Sequence, residues 1–105
     1  MDDKTDYILE LIKENAGDIM LFAEKAGGAD VFGTDRILRK AIFMSIINIV
    51  NLAKKLPDEF KKSHSDIPWE QIDGIRNITA QGYHTMDDDV IWDIVKNVIP
   101  WMEEL

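Results

Sequence analysis

Apolar residues recur along this chain at three- and four-residue steps, the spacing that gathers side chains on one face of an α-helix. Tyr7, Ile8, Leu11, Ile12, Ile19, Phe22 and Ala23 keep that rhythm and predict a first helix from about Lys4 to Ala26. Gly27-Gly28 ends it, because glycine accepts the left-handed backbone that closes a helix. Gly17 is a weak point inside it. Residues 27–33 read as a loop, and Thr34 or Asp35 caps a second helix running to about Leu56. The apolar residues of that helix, from Ile37 through Ile42, Met44, Ile47 and Val50 to Leu56, spread around most of its circumference. A helix apolar nearly all round is buried on more than one side, so a second subunit is expected against it. Pro57 stops this helix and starts a short one, Pro57 to about Lys62.

Ser63 to Asp66 is a polar connector. Pro68 then suits the first turn of a helix to about Tyr83 or His84, with Trp69, Ile72, Ile75 and Ile78 as its apolar stripe and Gly82 weakening its end. Asp87 caps the next helix, in which Val90, Ile91, Ile94, Val95 and Val98 recur, and Asp87 to Asp89 favour its positive end. Pro100 should kink or end the regular helix near Asn97, with Trp101 and Leu105 packing back on the bundle. No stretch alternates like a strand. The expectation is an all-α fold in a single domain, residues 1–105: an antiparallel helical bundle of four long helices plus one short helix.

Composition narrows the function. The chain has 105 residues and a net charge of −8, which argues against broad nonspecific nucleic-acid binding but leaves room for a local basic cleft. Asp2-Asp3, Asp87-Asp88-Asp89 and Glu103-Glu104 read as helix caps and solvated ends. There is no cysteine, hence no disulfide framework or thiolate metal site. Met1-Asp2-Asp3-Lys4 lacks the basic-then-apolar pattern of a signal peptide, and no apolar run approaches the roughly 20 residues of a membrane span. A cytoplasmic protein with no membrane contact is expected.

The stretch Gly74-Ile75-Arg76-Asn77-Ile78-Thr79-Ala80-Gln81-Gly82-Tyr83-His84 holds the candidate chemistry. On a helix, Arg76, Ala80, Tyr83 and His84 lie within about a quarter turn of one another. A guanidinium, a phenol and an imidazole on one face suit phosphodiester binding and proton transfer. The same spacing also fits an arginine paired with acidic neighbours beside a surface tyrosine and histidine. Arg36, Arg39 and Lys40 are either a basic lip of an RNA-binding cleft or partners of nearby acids. His64, alone in the connector, reads as solvated. Trp69, Trp92 and Trp101 read as core rather than as a base-stacking platform. No metal or cofactor is expected: His64 and His84 lack ligand spacing, and Asp87-Asp88-Asp89 lacks the glycine and terminal glutamate of a calcium loop.

From Lys54 onward the chain resembles the HepT-like family of the HEPN superfamily. The resemblance rests on Ala53-Lys54-Lys55-Leu56-Pro57-Asp58-Glu59-Phe60, Ile67-Pro68-Trp69, Gly74-Ile75-Arg76-Asn77, Tyr83, Ile91-Trp92-Asp93-Ile94-Val95-Lys96-Asn97 and Ile99-Pro100. It implies a helical homodimer with a composite cleft, metal-independent RNA cleavage, and a toxin role opposite a minimal nucleotidyltransferase antitoxin of the MntA type. The family motif is an arginine, four residues, a histidine, one residue and a tyrosine. Arg76 and Tyr83 match, Tyr83 as the AMP acceptor, and Asn77 matches the polar residue after the arginine.

Gln81 stands where the motif histidine belongs. It cannot titrate near neutral pH, so cleavage is expected to be weakened or absent. A natural relative that kept only fold and partner surface, a chain altered to lose toxicity, and takeover of the role by His84, about one turn on, all remain open. Asn51 replaces an acidic residue usual in the family's second helix; Asn48 and Asn51 otherwise read as hydrogen-bonding within the bundle or a dimer interface. The rival expectation is a non-catalytic module that docks a nucleotidyltransferase, and a blander one is a scaffolding helical dimer.

Overall fold

The computed structural model describes residues 2–28, 33–80 and 87–105. Among them the helices are α1 (Asp3–Ala26), α2 (Arg36–Lys54), α3 (Asp58–Ser63), α4 (Trp69–Thr79), α5 (Asp88–Asn97) and α6 (Ile99–Glu103). The described residues hold no strand. The all-α bundle expected from the periodicity is the fold.

Three of the helices, α1, α2 and α5, start where an aspartate satisfies their first free N–H groups. Asp2 Oδ1 accepts the Thr5 N–H at 2.7 Å and opens α1. Asp35 Oδ1 accepts from Ile37 and Leu38 at 3.1 and 3.0 Å and opens α2. Asp87 Oδ1 accepts from Asp89 at 2.8 Å and opens α5. Gly27 closes α1 with φ at 79°, a conformation glycine adopts without steric cost. α2 stops at Lys54, a little short of Leu56, because its last carbonyls are taken by tight turns: Lys55 N–H donates to Leu52 at 3.0 Å and Leu56 N–H to Ala53 at 3.2 Å. α5 ends at Asn97, and Pro100 sits in the first turn of α6, where its missing N–H costs nothing. The far end of α4, expected near Tyr83 or His84, and the weakening at Gly82 lie outside the described residues.

α1 and α2 share the most extensive contact; α5 and α6 pack on α1, and α4 packs on α2. Ile12, Ile19, Ile42, Ile46, Ile91, Val95, Val98, Ile99 and Met102 are the largest fully buried side chains. The molecule is longer than it is wide, 41 × 24 × 21 Å.

Several expectations are corrected. Tyr7 is 61% exposed, because the buried stripe of α1 runs through Thr5, Ile8, Leu9, Ile12, Ala16 and Ile19 instead. Trp101 does not pack back on the bundle; it is an exposed side chain, and Met102 takes the inward position of α6 while Leu105 packs against the core. His64 is not simply solvated. Its ring stacks on Phe60 with centroids 4.1 Å apart, and its Nδ1 lies 3.0 Å from the Phe60 carbonyl oxygen. The Trp69 indole N–H donates to the His64 carbonyl at 2.9 Å, so the connector is a packed corner. Within the single chain α2 buries one face only: Ile42, Phe43, Ile46, Ile49, Val50 and Ala53 face inward, whereas Ile37 is 77% exposed and Met44 49% exposed.

Gly17 is an exposed mid-helix glycine with open space where a Cβ would stand. Gly17→Ala is expected to raise the unfolding free energy by roughly 0.5–1 kcal/mol in denaturant titrations, and a loss of stability would contradict this packing. The Thr5 backbone N–H donated to Asp2 holds its carboxyl below its ordinary pKa. A depressed folded-state pKa gives stability that is complete above the unfolded value, near pH 4, and is lost as pH falls through the folded value. Asp2→Ala should therefore lower the thermal midpoint at pH 7, with the gap to the native chain narrowing as the pH falls below the unfolded value.

Candidate active site

α4 places the first half of the motif. Ile72 and Ile75 are buried and hold the helix on its neighbour, while Arg76 and Asn77, one and two positions on, face outward. The Arg76 Nη1 lies 3.7 Å from Asp73 Oδ1, an i,i+3 contact with side-chain exposures of 44% and 72%. An exposed pair at that distance contributes little stability. Gln81, Tyr83 and His84 lie outside the described residues, so the structure brings together Arg76 and Asn77 from that motif.

Arg36, Arg39 and Lys40 sit on the first turns of α2, the helix on which α4 packs. Arg36 and Lys40 are exposed. Arg39 is engaged: its Nε is paired with Asp88 Oδ1 at the start of α5, and only 14% of its side chain is accessible. The contact brings the acidic Asp87-Asp88-Asp89 turn beside the basic turns of α2, which offsets their positive field. Gly33 belongs to the same junction, since a Cβ there would stand 3.1 Å from Asp88 Oδ2. The sequence offered Asp88 as a helix-end charge; nothing local could show that its partner lies 49 residues away.

The asparagines of α2 divide. Asn48 Nδ2 donates to Asn15 Oδ1 on α1 at 3.3 Å, and Asn15 Nδ2 donates to the Leu11 carbonyl at 2.9 Å. Asn51 is exposed and lines a shallow groove with Asn15, Asn48 and Lys55. Trp69 and Trp92 pack against the core as half-buried rings, and Lys61 Nζ stands 5.9 Å from the Trp69 ring centre. Among the described residues no cluster of His, Asp and Glu suits a metal ion, and no helix is long and apolar enough to cross a membrane.

An all-helical bundle of the HEPN type is thus the class that the fold defines. The family described as ribonuclease HepT-like matches residues 9–105, and the chain belongs to that family. It is 33% identical over 73 residues to a candidate RNase of Caldanaerobacter subterraneus subsp. tengcongensis, covering 70% of this chain and 65% of that one. It is 33% identical over 75 residues to a Methanocaldococcus jannaschii protein named as a gamma-glutamylcyclotransferase and candidate RNase, covering 71% of this chain and 34% of that one. A second candidate RNase of M. jannaschii is 32% identical over 89 residues, 85% of this chain and 73% of the relative. The chain therefore spans less than two thirds of the length of the first two relatives. No solved structure gives a significant match.

Breaking the α2–α5 tie tests this geometry. Arg39→Ala is expected to cost about 1–2 kcal/mol in unfolding free energy, discounted because Asp88 is partly solvated. A double-mutant cycle with Asp88→Ala should return a coupling of about 1 kcal/mol. Purely additive losses would mean the pair contributes nothing.

Proposed function

We propose that this chain is the toxin-type member of a two-protein system, an RNA-directed, metal-independent endonuclease whose cleavage is weakened or lost because Gln81 replaces the motif histidine. Membership of the ribonuclease HepT-like family over residues 9–105 carries the reading. The exposed Arg76 and Asn77 on a helix seated by Ile72 and Ile75 support it, since a phosphate-binding guanidinium must be reachable yet held. RNA brings its own nucleophile, the 2′-hydroxyl, so the protein's task is to bind the phosphodiester and move protons. Arg76 binds the scissile phosphate, and the exposed Arg36 and Lys40 steer neighbouring phosphates, with Arg39 held between them by Asp88. The chain acts as a homodimer through the exposed apolar side of α2, where Ile37 and Met44 stand in solvent. Its partner is a minimal nucleotidyltransferase antitoxin that transfers AMP to Tyr83, and the pair works in the cytoplasm.

A second reading is favoured by Gln81 and by the net charge of −8: a non-catalytic module that docks the nucleotidyltransferase and presents Tyr83 or a nucleotide to it. The two separate on cleavage of labelled RNA in EDTA by the native chain and its Gln81→His variant. Faster cutting by the variant, by about tenfold or more, is expected for a disarmed nuclease, because one positioned imidazole contributes roughly 10²–10⁴-fold to proton transfer. Arg76→Ala in the Gln81→His background should abolish the gain. Absence of cutting by both chains would overturn the nuclease reading and leave the docking module.

A further inference from the structure

A phosphodiester held by Arg76 would lie beside a carboxylate. Asp73 precedes Arg76 by one helical turn, so the two side chains share a face of α4. The Asp73 Oδ1 stands 3.7 Å from Arg76 Nη1, and the two side chains are 72% and 44% exposed, so a polymer can reach both at once. That spacing is long for a charge-assisted bond, which closes to about 2.7–2.9 Å when guanidinium and carboxylate lock together. A phosphate oxygen that took up guanidinium donors would therefore have the carboxylate alongside. Asp73 has a further property that Gln81 lacks: its carboxylate can accept a proton.

We propose that Asp73 is the general base of the residual RNA cleavage by this chain, an inference that rests on the ribonuclease reading above. With Arg76 on the phosphate, the adjacent 2′-hydroxyl falls within reach of the Asp73 carboxylate. The 2′-O–H bond breaks and its proton passes to Asp73. The freed 2′-oxygen forms a bond to phosphorus as the bond from phosphorus to the 5′-oxygen breaks. The departing 5′-oxygen takes a proton from water, and the hydroxide so formed removes the proton from Asp73. The products are a 2′,3′-cyclic phosphate and a 5′-hydroxyl, with no oxidant, metal or further reactant. A carboxylate is a weaker general base than an imidazole. The net result is slow cleavage.

The test is cleavage of a labelled single-stranded oligoribonucleotide in EDTA by the native chain and by the Asp73→Asn, Asp73→Glu, Glu70→Gln, Gln81→His and combined Asp73→Asn/Gln81→His variants. Helical circular dichroism verifies that each is folded, which the exposure of Asp73 and Glu70 leads one to expect. The native chain should cut slowly, Asp73→Asn should lose about 100-fold or more, and Asp73→Glu should keep most of the rate. Glu70→Gln removes the same charge one turn earlier and should change little. A restored histidine supplies the base itself, so the combined variant should cut nearly as fast as Gln81→His alone. Native-like cutting by Asp73→Asn overturns the role of Asp73 and leaves the ribonuclease reading standing. So does a native chain that never cuts beside a Gln81→His variant that does. If neither the native chain nor Gln81→His cuts, the ribonuclease reading fails and this proposal falls with it.

Discussion

Ile12 and Ile19 on α1, together with Ile42 and Ile46 on α2, are almost wholly withdrawn from water, and the rest of the molecule hangs on the seam between these two helices. Full burial of such a side chain contributes about 1.5–3 kcal/mol. Helices of ten or eleven residues, such as α5 and α4, do not persist alone in water, because nucleation costs more than so few hydrogen bonds return. They exist here because Ile72 and Ile75 seat α4 on α2, while Ile91, Ile94 and Val95 bury the inner face of α5 beside α1. The position of Arg76 is thus inherited: the seam places α2, α2 places α4, and α4 turns the guanidinium outward.

Charge works at the ends of these helices rather than along them. Asp2, Asp35 and Asp87 satisfy otherwise unpaired N–H groups, and each lies where the helix dipole is positive. The Arg39–Asp88 pair extends this logic between elements, joining the start of α2 to the start of α5. Residues 81–86, which carry Gln81, Tyr83 and His84, are bracketed by the end of α4 and by this tied turn. α4 is thus held by apolar packing, and the start of α5 by an ionic contact.

Where the linear reading went astray, the cause was a neighbour distant in sequence or a small rotation. Tyr7 and Leu9 are two positions apart, and a stripe displaced by a fraction of a turn exchanges which of them is inside. Trp101 and Met102 are adjacent, and the short α6 after Pro100 sets which one points inward. His64 looked like a lone polar residue because the ring it stacks on, Phe60, and the indole bonded to its carbonyl, Trp69, declare themselves only when the corner folds. The apolar excess of α2 was visible in the sequence; that α1 and α4 leave Ile37 and Met44 uncovered was not.

By itself the sequence determined the helical class, most helix boundaries and the resemblance to the HepT-like family, because periodicity, aspartate caps, glycine stops and prolines act within one or two turns of the chain. The tertiary structure alone decided that Arg39 is engaged by Asp88, that Asn48 bonds to Asn15, and that the face of α4 carrying Arg76 and Asp73 is left exposed. Those outcomes depend on how separate helices dock and rotate, a matter of packing between residues far apart in the chain, on which local spacing is silent.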